Sequence, residues 1–225
     1  MRPVYGGANA RSTLSILPAM SRTASVRRNV LLAALLALVA LLTVLLFLPR
    51  QGGGRGPAEA STEVRFVREM IQHHAQAVDM ATRIRERSRD EAVRTLALDI
   101  MLSQQEQIGQ MRGWLTLWGR PWGGVGMGAQ HALSMGMASP EQVAALDTLP
   151  PAEADVAFLQ LMTRHHQGAL QMAGPAVAAG VRPEVQALAR QIQAGQAAEV
   201  RTMTDMLRAR NAEPLPPPSM GDMQH

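Results

Sequence analysis

Hydrophobic and polar positions follow two different patterns along this chain. From Val30 to Leu48, nothing more polar than Thr43 interrupts 19 consecutive residues, and at about 1.5 Å per residue such a run crosses a hydrocarbon core of roughly 30 Å. From Ser61 the period changes: Phe66, Met70, His73, Ala77, Met80, Ala81 and Ile84 recur at the spacing of an amphipathic helix, with Arg83, Arg85, Glu86 and Arg87 crowding its end. A second helix is predicted from about Asp90, with Leu96, Ile100, Gln104, Ile108, Met111 and Leu115 on one face and a stop at Gly119-Arg120-Pro121. Gly119 to Pro140 reads as a Gly-rich connection, Pro140 to Leu146 as a short helix opened by proline, and Pro150-Pro151 as its break. A third long helix is predicted from about Ala152 to Ala179, with Gly174-Pro175 either kinking it or ending it early. The turn Gly180-x2-Pro183 leads into a fourth, from about Pro183 to Asn211. No segment alternates with strand period.

The helical part repeats itself. Phe66-x3-Met70-x2-His73-His74-x5-Met80-Ala81 returns 92 residues later as Phe158-x3-Met162-x2-His165-His166-x5-Met172-Ala173. The same shift aligns Leu96, Ile100, Gln104, Met111 and Leu115 with Leu188, Ile192, Gln196, Met203 and Leu207. Two related hairpins joined by one longer crossover predict an all-α four-helix bundle preceded by a transmembrane helix. The expected organisation is an N-terminal cytoplasmic, disordered segment 1–29, a signal-anchor 30–48, and a linker 49–60 containing the Gly-rich tether Gln51 to Pro57. The bundle follows over 61–211, with duplicated halves 62–118 and 152–211, and then a Pro/Met tail 212–225.

Composition narrows the chemistry. With no cysteine, any metal must be held by His, Met or carboxylate, and disulfides and thiolate nucleophiles are excluded. The net charge of +4 is misleading, because all 22 basic residues are Arg and seven of them precede the first acid, Glu59. The remaining 15 Arg face 18 acids, so the bundle is slightly acidic, which argues against a basic face for nucleic acid. Arg22, Arg27 and Arg28 flank the apolar run, which by the positive-inside bias leaves the N-terminus in the cytoplasm. The bundle is then expected on the extracytoplasmic side of the cell membrane, periplasmic or extracellular, on a single-pass anchor. Secretion after cleavage near Ala58-Glu59-Ala60 is the alternative.

At about 100° per residue, with Phe66 at zero, Met70 falls near 40°, His73 near 340°, His74 near 80° and Met80 near 320°. Identical spacing gives Met162, His165, His166 and Met172 the same angles, so two imidazoles and two thioethers per copy are expected to converge on the core. On the fourth helix Glu199 and Met203 share the inward edge with Gln196, whereas the corresponding carboxylate position in the first copy is Gln107. Thioether with imidazole suits Cu(I) and Ag(I); carboxylate with imidazole tolerates Cu(II) and Zn(II). Di-iron chemistry needs Glu-x-x-His on paired helices, and that motif is missing, since Glu69 precedes Gln72 and the shift places Leu161 at the Glu69 position. The remaining histidines, His131 and His225, lie in a Met-rich loop and a Met-containing tail that could act as mobile capture arms. Against this, Met at helical spacing is common core filler, and a buried His is often simply hydrogen-bonded.

At these residues the chain resembles the bacterial family called domain of unknown function 305. The resemblance rests on Phe66-x3-Met-Ile-x-His-His-x2-Ala-x2-Met-Ala, on Phe158-Leu-x2-Met-x2-His-His-x-Gly-Ala-x2-Met-Ala and on Gln196-x2-Glu199-Val-x2-Met203, and covers about residues 62–211. It implies a ferritin-like four-helix bundle in an exported protein, linked to periplasmic copper and silver binding. The ligand set implied is His73, His74, His165, His166, Met70, Met80, Met162, Met172, Glu199 and Met203. Gln107, where a glutamate is usual in the family, puts the first half-site in question. The expected function is sequestration or transfer of copper, with silver or zinc as alternatives, without catalysis. Expected partners are the metal ion, the membrane, and either a second copy or a copper-handling protein. Two other readings are a metal-dependent oxidoreductase and a helical interaction module with structural histidines.

Overall fold

A computed structural model describes residues 21–47, 56–124 and 127–218. Among them are seven α-helices and one short 3-10 turn, and no strand. The chain divides into two units, residues 1–54 and 55–225.

The first unit holds α1 (Ser21–Phe47). Within it, Val26–Thr43 is long and apolar enough to cross a membrane. Leu31, Leu32, Leu35, Leu36, Leu38 and Val39 are all exposed on it, so apolar side chains surround the helix instead of forming one stripe, as suits a lipid-facing helix more than a water-facing one.

The second unit is the expected bundle. Its long helices are α2 (Thr62–Arg87), α3 (Glu91–Leu117), α6 (Pro151–Ala173) and α7 (Pro183–Arg208), with α4 (Ala129–Ser134) and α5 (Pro140–Thr148) in the crossover. Their starts are local chemistry. The Ser61 hydroxyl accepts the Val64 N–H at 3.3 Å, and the Asp90 carboxylate accepts those of Ala92 and Val93 at 2.9 and 3.4 Å. Ser139 and Gln142 close a capping box on α5, and proline occupies the first turn of α5, α6 and α7. Helix α6 stops at Ala173, six residues short of the longest expected span, because Pro175 cannot continue the ladder and opens the 3-10 turn Pro175–Val177.

Helices α2 and α3 form one hairpin and α6 and α7 the other, joined through an α2–α6 contact. The crossover is not a free arm. Gln72 Oε1 accepts the Met127 N–H at 3.1 Å, and the Gln76 amide accepts from Ala138 N–H at 2.7 Å and donates to Ala138 O at 2.9 Å. It also lies directly on α6. A Cβ on Gly168 would stand 1.7 Å from Met135 O, and one on Gly136, which has φ +81, would stand 2.4 Å from Arg164 O. Glycine at both positions is therefore what lets backbone meet backbone. The start of the tail is likewise docked: Gln160 Nε2 donates to Glu213 O at 2.7 Å, and Leu215 packs against the core. Met220, Met223 and His225, expected as part of a capture arm, lie outside the described residues, as do residues 1–20 and most of the tether.

Gly168→Ala should cost about 1–3 kcal/mol, since a backbone carbonyl must retreat to admit one methyl. Gly109→Ala, on an exposed stretch of α3 with nothing near the added carbon, should instead stabilise by about 0.5–1 kcal/mol. Urea denaturation of both variants checks the pair of signs.

Candidate metal centre

The core of the bundle consists of two apolar clusters separated by polar residues. On α2, Val64 to Ile71 belong to one cluster and Ala77 to Ile84 to the other; on α6, Ala154 to Met162 belong to the second and Ala169 to Ala173 to the first. His73, His74, His165 and His166 fall between them. The same division runs through α3 at Gln104 and α7 at Gln196. All six of these polar side chains are buried. The bundle is therefore crossed at mid-height by one polar layer, to which every long helix contributes.

The duplication explains the layer's internal geometry. His73 and His165 are equivalent positions of the two copies, and their rings meet at the α2–α6 contact with centroids 3.6 Å apart and planes 32° from parallel. Their neighbours turn outward to the flanking helices. His74 Nε2 donates to Gln107 Oε1 on α3 at 2.7 Å, and His166 Nε2 donates to Glu199 Oε2 on α7, also at 2.7 Å. His73 Nε2 donates to Met135 O of the crossover at 3.1 Å.

Three rings thus spend their Nε2–H on a neighbour, and a neutral imidazole so engaged carries its lone pair at Nδ1. The Nδ1 atoms of His73, His74 and His166 are buried without a hydrogen bond. His165 makes no well-aligned hydrogen bond through either nitrogen, although the His73 backbone lies close enough to favour its protonation. Both amide atoms of Gln104 and of Gln196 are also unpartnered. They line a cleft of about 150 Å³ between α3 and α7, together with Gln107 and Glu199. A buried polar atom left without a partner costs about 1–3 kcal/mol, so the layer as a whole is a heavy charge on a domain whose net stability is of order 10 kcal/mol.

Burial also keeps His73, His74 and His165 neutral. Desolvation, reinforced by His74 and His166, brings the pKa of His73 down to about 3. Desolvation and His166 bring His74 to about 4, against an opposing pull from its bond to Gln107. His165 is held well below the ordinary histidine value by burial and by the three other rings.

The thioethers do not join this layer as one group. Met80, Met162 and Met203 lie in one apolar cluster; Met70 and Met111 lie in the other, with Met172 packed at its edge. The 92-residue shift exchanges the two sets, so the clusters are images of each other across the layer. The helical angles correctly put Met70 and Met80 on one side of α2, but ten residues separate them by about 15 Å along the axis, and the expected convergence with the histidines is replaced by thioethers above and below. Glu199 Oε2 is engaged by the His166 ring. Gln104, Gln196 and the Met135 carbonyl were not singled out in the sequence as site groups. The signal for the first two was there, a glutamine inside an apolar stripe in both copies. The third had none, since a backbone carbonyl leaves no trace in composition.

Comparison with known proteins now bears on this arrangement. The family model described as "Domain of unknown function (DUF305)" matches residues 63–207. The chain belongs to the DUF305 family. Among solved structures, this DUF305 protein is similar to a DUF305 fragment from Deinococcus radiodurans at 50% identity, covering 68% of this chain and 99% of that one, with a TM-score of 0.64. A putative secreted DUF305 protein from Streptomyces coelicolor is 38% identical over 71% of this chain and 99% of its own, with a TM-score of 0.65. CopM in its Cu(I)-bound form is 26% identical over 67% and 97%, with a TM-score of 0.55, and CopM is also known in Cu(II)-bound and Ag-bound forms. No match is found among curated proteins.

The DUF305 bundle should lose stability in acid. Unfolded histidine titrates near pH 6.5, while His73 and His74 remain neutral down to about 3 and about 4. Between those limits the unfolded chain binds more protons, so stability falls as pH drops below about 6.5 and levels off only below the folded values. The neighbours facing the rings across the layer are Glu199, itself titratable, and the neutral amides Gln104, Gln107 and Gln196. In urea titrations near pH 5, His165→Gln should lower the proton uptake on unfolding by about one, which is about 1.4 kcal/mol per pH unit of slope.

Proposed function

We propose that this protein binds a copper ion as cargo, Cu(I) foremost, in the polar layer of its bundle, and buffers it or passes it on without chemical turnover. The observation that carries this reading is the set of buried imidazoles whose Nε2 atoms are engaged by Met135 O, Gln107 and Glu199 and whose Nδ1 atoms have no hydrogen-bond partner. A metal-binding histidine ordinarily donates its other N–H to a carboxylate or carbonyl, which sets its tautomer and aim. On this reading His73, His74, His165 and His166 supply nitrogen, and Met70, Met80, Met162 and Met203 offer thioethers on either side, with Met172 at the outer edge. Imidazole and thioether together favour Cu(I) and Ag(I), while Zn(II) is the weaker fit because Glu199 is committed to His166. The copper- and silver-bound forms of CopM support the choice of metal.

Gln107 and Glu199 then act as positioning residues. A carboxylate holds His166 and a neutral amide holds His74, so the two halves of the site are unequal. Helix α1 serves as the single-pass anchor or the export signal, with the bundle outside the cytoplasm; the Streptomyces coelicolor relative, a putative secreted protein, supports export. The ion's recipient is a second copy of this chain or a copper-handling partner.

Competition for Cu(I) against bicinchoninate, with the full-length protein in detergent, tests the reading. His165→Ala/His166→Ala should bind at least about tenfold more weakly than wild type. Wild type should also gain about 2.7 kcal/mol of stability at a free Cu(I) concentration 100 times its Kd. Superimposable competition curves for the two proteins, with circular dichroism showing both folded, would rule the buried site out.

A further inference from the structure

One cavity away from the polar layer also gathers metal-binding side chains. A hollow of about 260 Å³ is lined by residues of α2, α4 and the end of α6, among them Glu69, His131, Met135 and Met172. Helix α4, which no sequence period announced, brings His131 there across 62 residues of chain from Glu69. His131 Nε2 stands 3.9 Å from Glu69 Oε1, with the two side chains 34% and 27% exposed. That distance is too long for a hydrogen bond. It matches two ligand atoms sharing one ion, since donors at about 2.0–2.2 Å from a metal lie roughly 3–4 Å from each other. Gln171, on the same wall, has its Oε1 buried without a partner. Among the described residues, the one cation on the lining, Arg65, is exposed, and Thr62, Phe66 and Pro175 make up the rest of the wall.

We propose that Glu69, His131 and Met172 form a second, surface-accessible metal site that takes a divalent copper ion. Imidazole and carboxylate are a donor pair that Cu(II) binds more tightly than other first-row divalent ions, and the Met172 thioether is compatible with copper in either oxidation state. The site reaches beyond the duplicated motif: Met172 belongs to the second copy, but the equivalent of Glu69 is Leu161, and α4 falls in the crossover, outside both copies. It shares no histidine with the buried layer. It does share a wall, since Met135 lines the hollow while its carbonyl accepts the His73 Nε2–H. An ion at the surface site therefore sits one residue away from the hydrogen bond that orients a buried ring.

Calorimetric titration of the full-length protein in detergent with Cu(II), alongside electron paramagnetic resonance, tests the proposal. His131→Ala should abolish one binding step and its single-nitrogen hyperfine pattern. Glu69→Gln, which keeps the side-chain shape, should weaken that step by about tenfold. His165→Ala/His166→Ala should retain it. Identical isotherms and spectra for wild type, His131→Ala and Glu69→Gln would overturn the surface site. So would a loss confined to His165→Ala/His166→Ala, which leaves the buried site standing. A loss in His131→Ala with the step retained in the double variant supports the surface site and leaves the buried site to the Cu(I) competition.

Discussion

Four helices that must share one buried polar layer have little freedom to slide. His73 and His74 on α2, Gln104 on α3, His165 and His166 on α6 and Gln196 on α7 lie at one height, with apolar clusters on both sides. A slip of one helix by a turn would carry its imidazole or amide into Leu, Ile and Met, away from any partner, while pushing an apolar side chain into the layer. The cost of a buried polar group without a partner acts against every such shift. The layer therefore sets the register of the bundle at the same time as it concentrates nitrogen donors at its centre.

Duplication makes this arrangement economical, and divergence makes it useful. Equivalent rings, His73 and His165, face each other where the copies meet, and the thioether clusters are exchanged by the repeat. The copies differ where the crossover lands. Gln76 grips Ala138 on one side; its equivalent, Gly168, gives way so that Met135 can lie against α6. The crossover then supplies a backbone acceptor to His73 but none to His165. A second difference, Gln107 against Glu199, puts a neutral amide on one outward ring and a carboxylate on the other. Two sequences that began alike thus present two chemically distinct histidine environments within one layer.

The proposed copper chemistry follows from a balance between protonation and coordination. His73, His74 and His165, held neutral by burial, do not have to release protons before binding a cation, so acid competes less with the ion there than it would at an exposed histidine. The same burial has a cost for folding, because the unfolded chain is free to protonate those rings. Membership of the DUF305 family and likeness to CopM place the chain among bundles of this build. The positions of the lone pairs, not the family, are what direct attention to Nδ1.

Much of the fold was legible in order along the chain because its determinants are local. Ser61, Asp90, Pro140, Pro151 and Pro183 mark helix starts through their own hydroxyl, carboxylate or missing N–H, and the 92-residue repeat announces two hairpins. Helix α4 was not legible: six residues carry too few turns to show a period. The angular reading placed Met70, His73 and Met80 on one side of α2 but said nothing of height, since periodicity fixes rotation about an axis and not which partner stands opposite. The sequence by itself thus determined the helices, their buried faces and the paired histidines, all of which depend on residues within a few turns of one another. Only the tertiary structure decided that the rings lie in one layer with the thioethers on either side, that Glu199 meets the His166 ring, and that a loop carbonyl completes His73. Those relations join atoms from different helices, and they exist only once apolar burial has brought the helices to a common height.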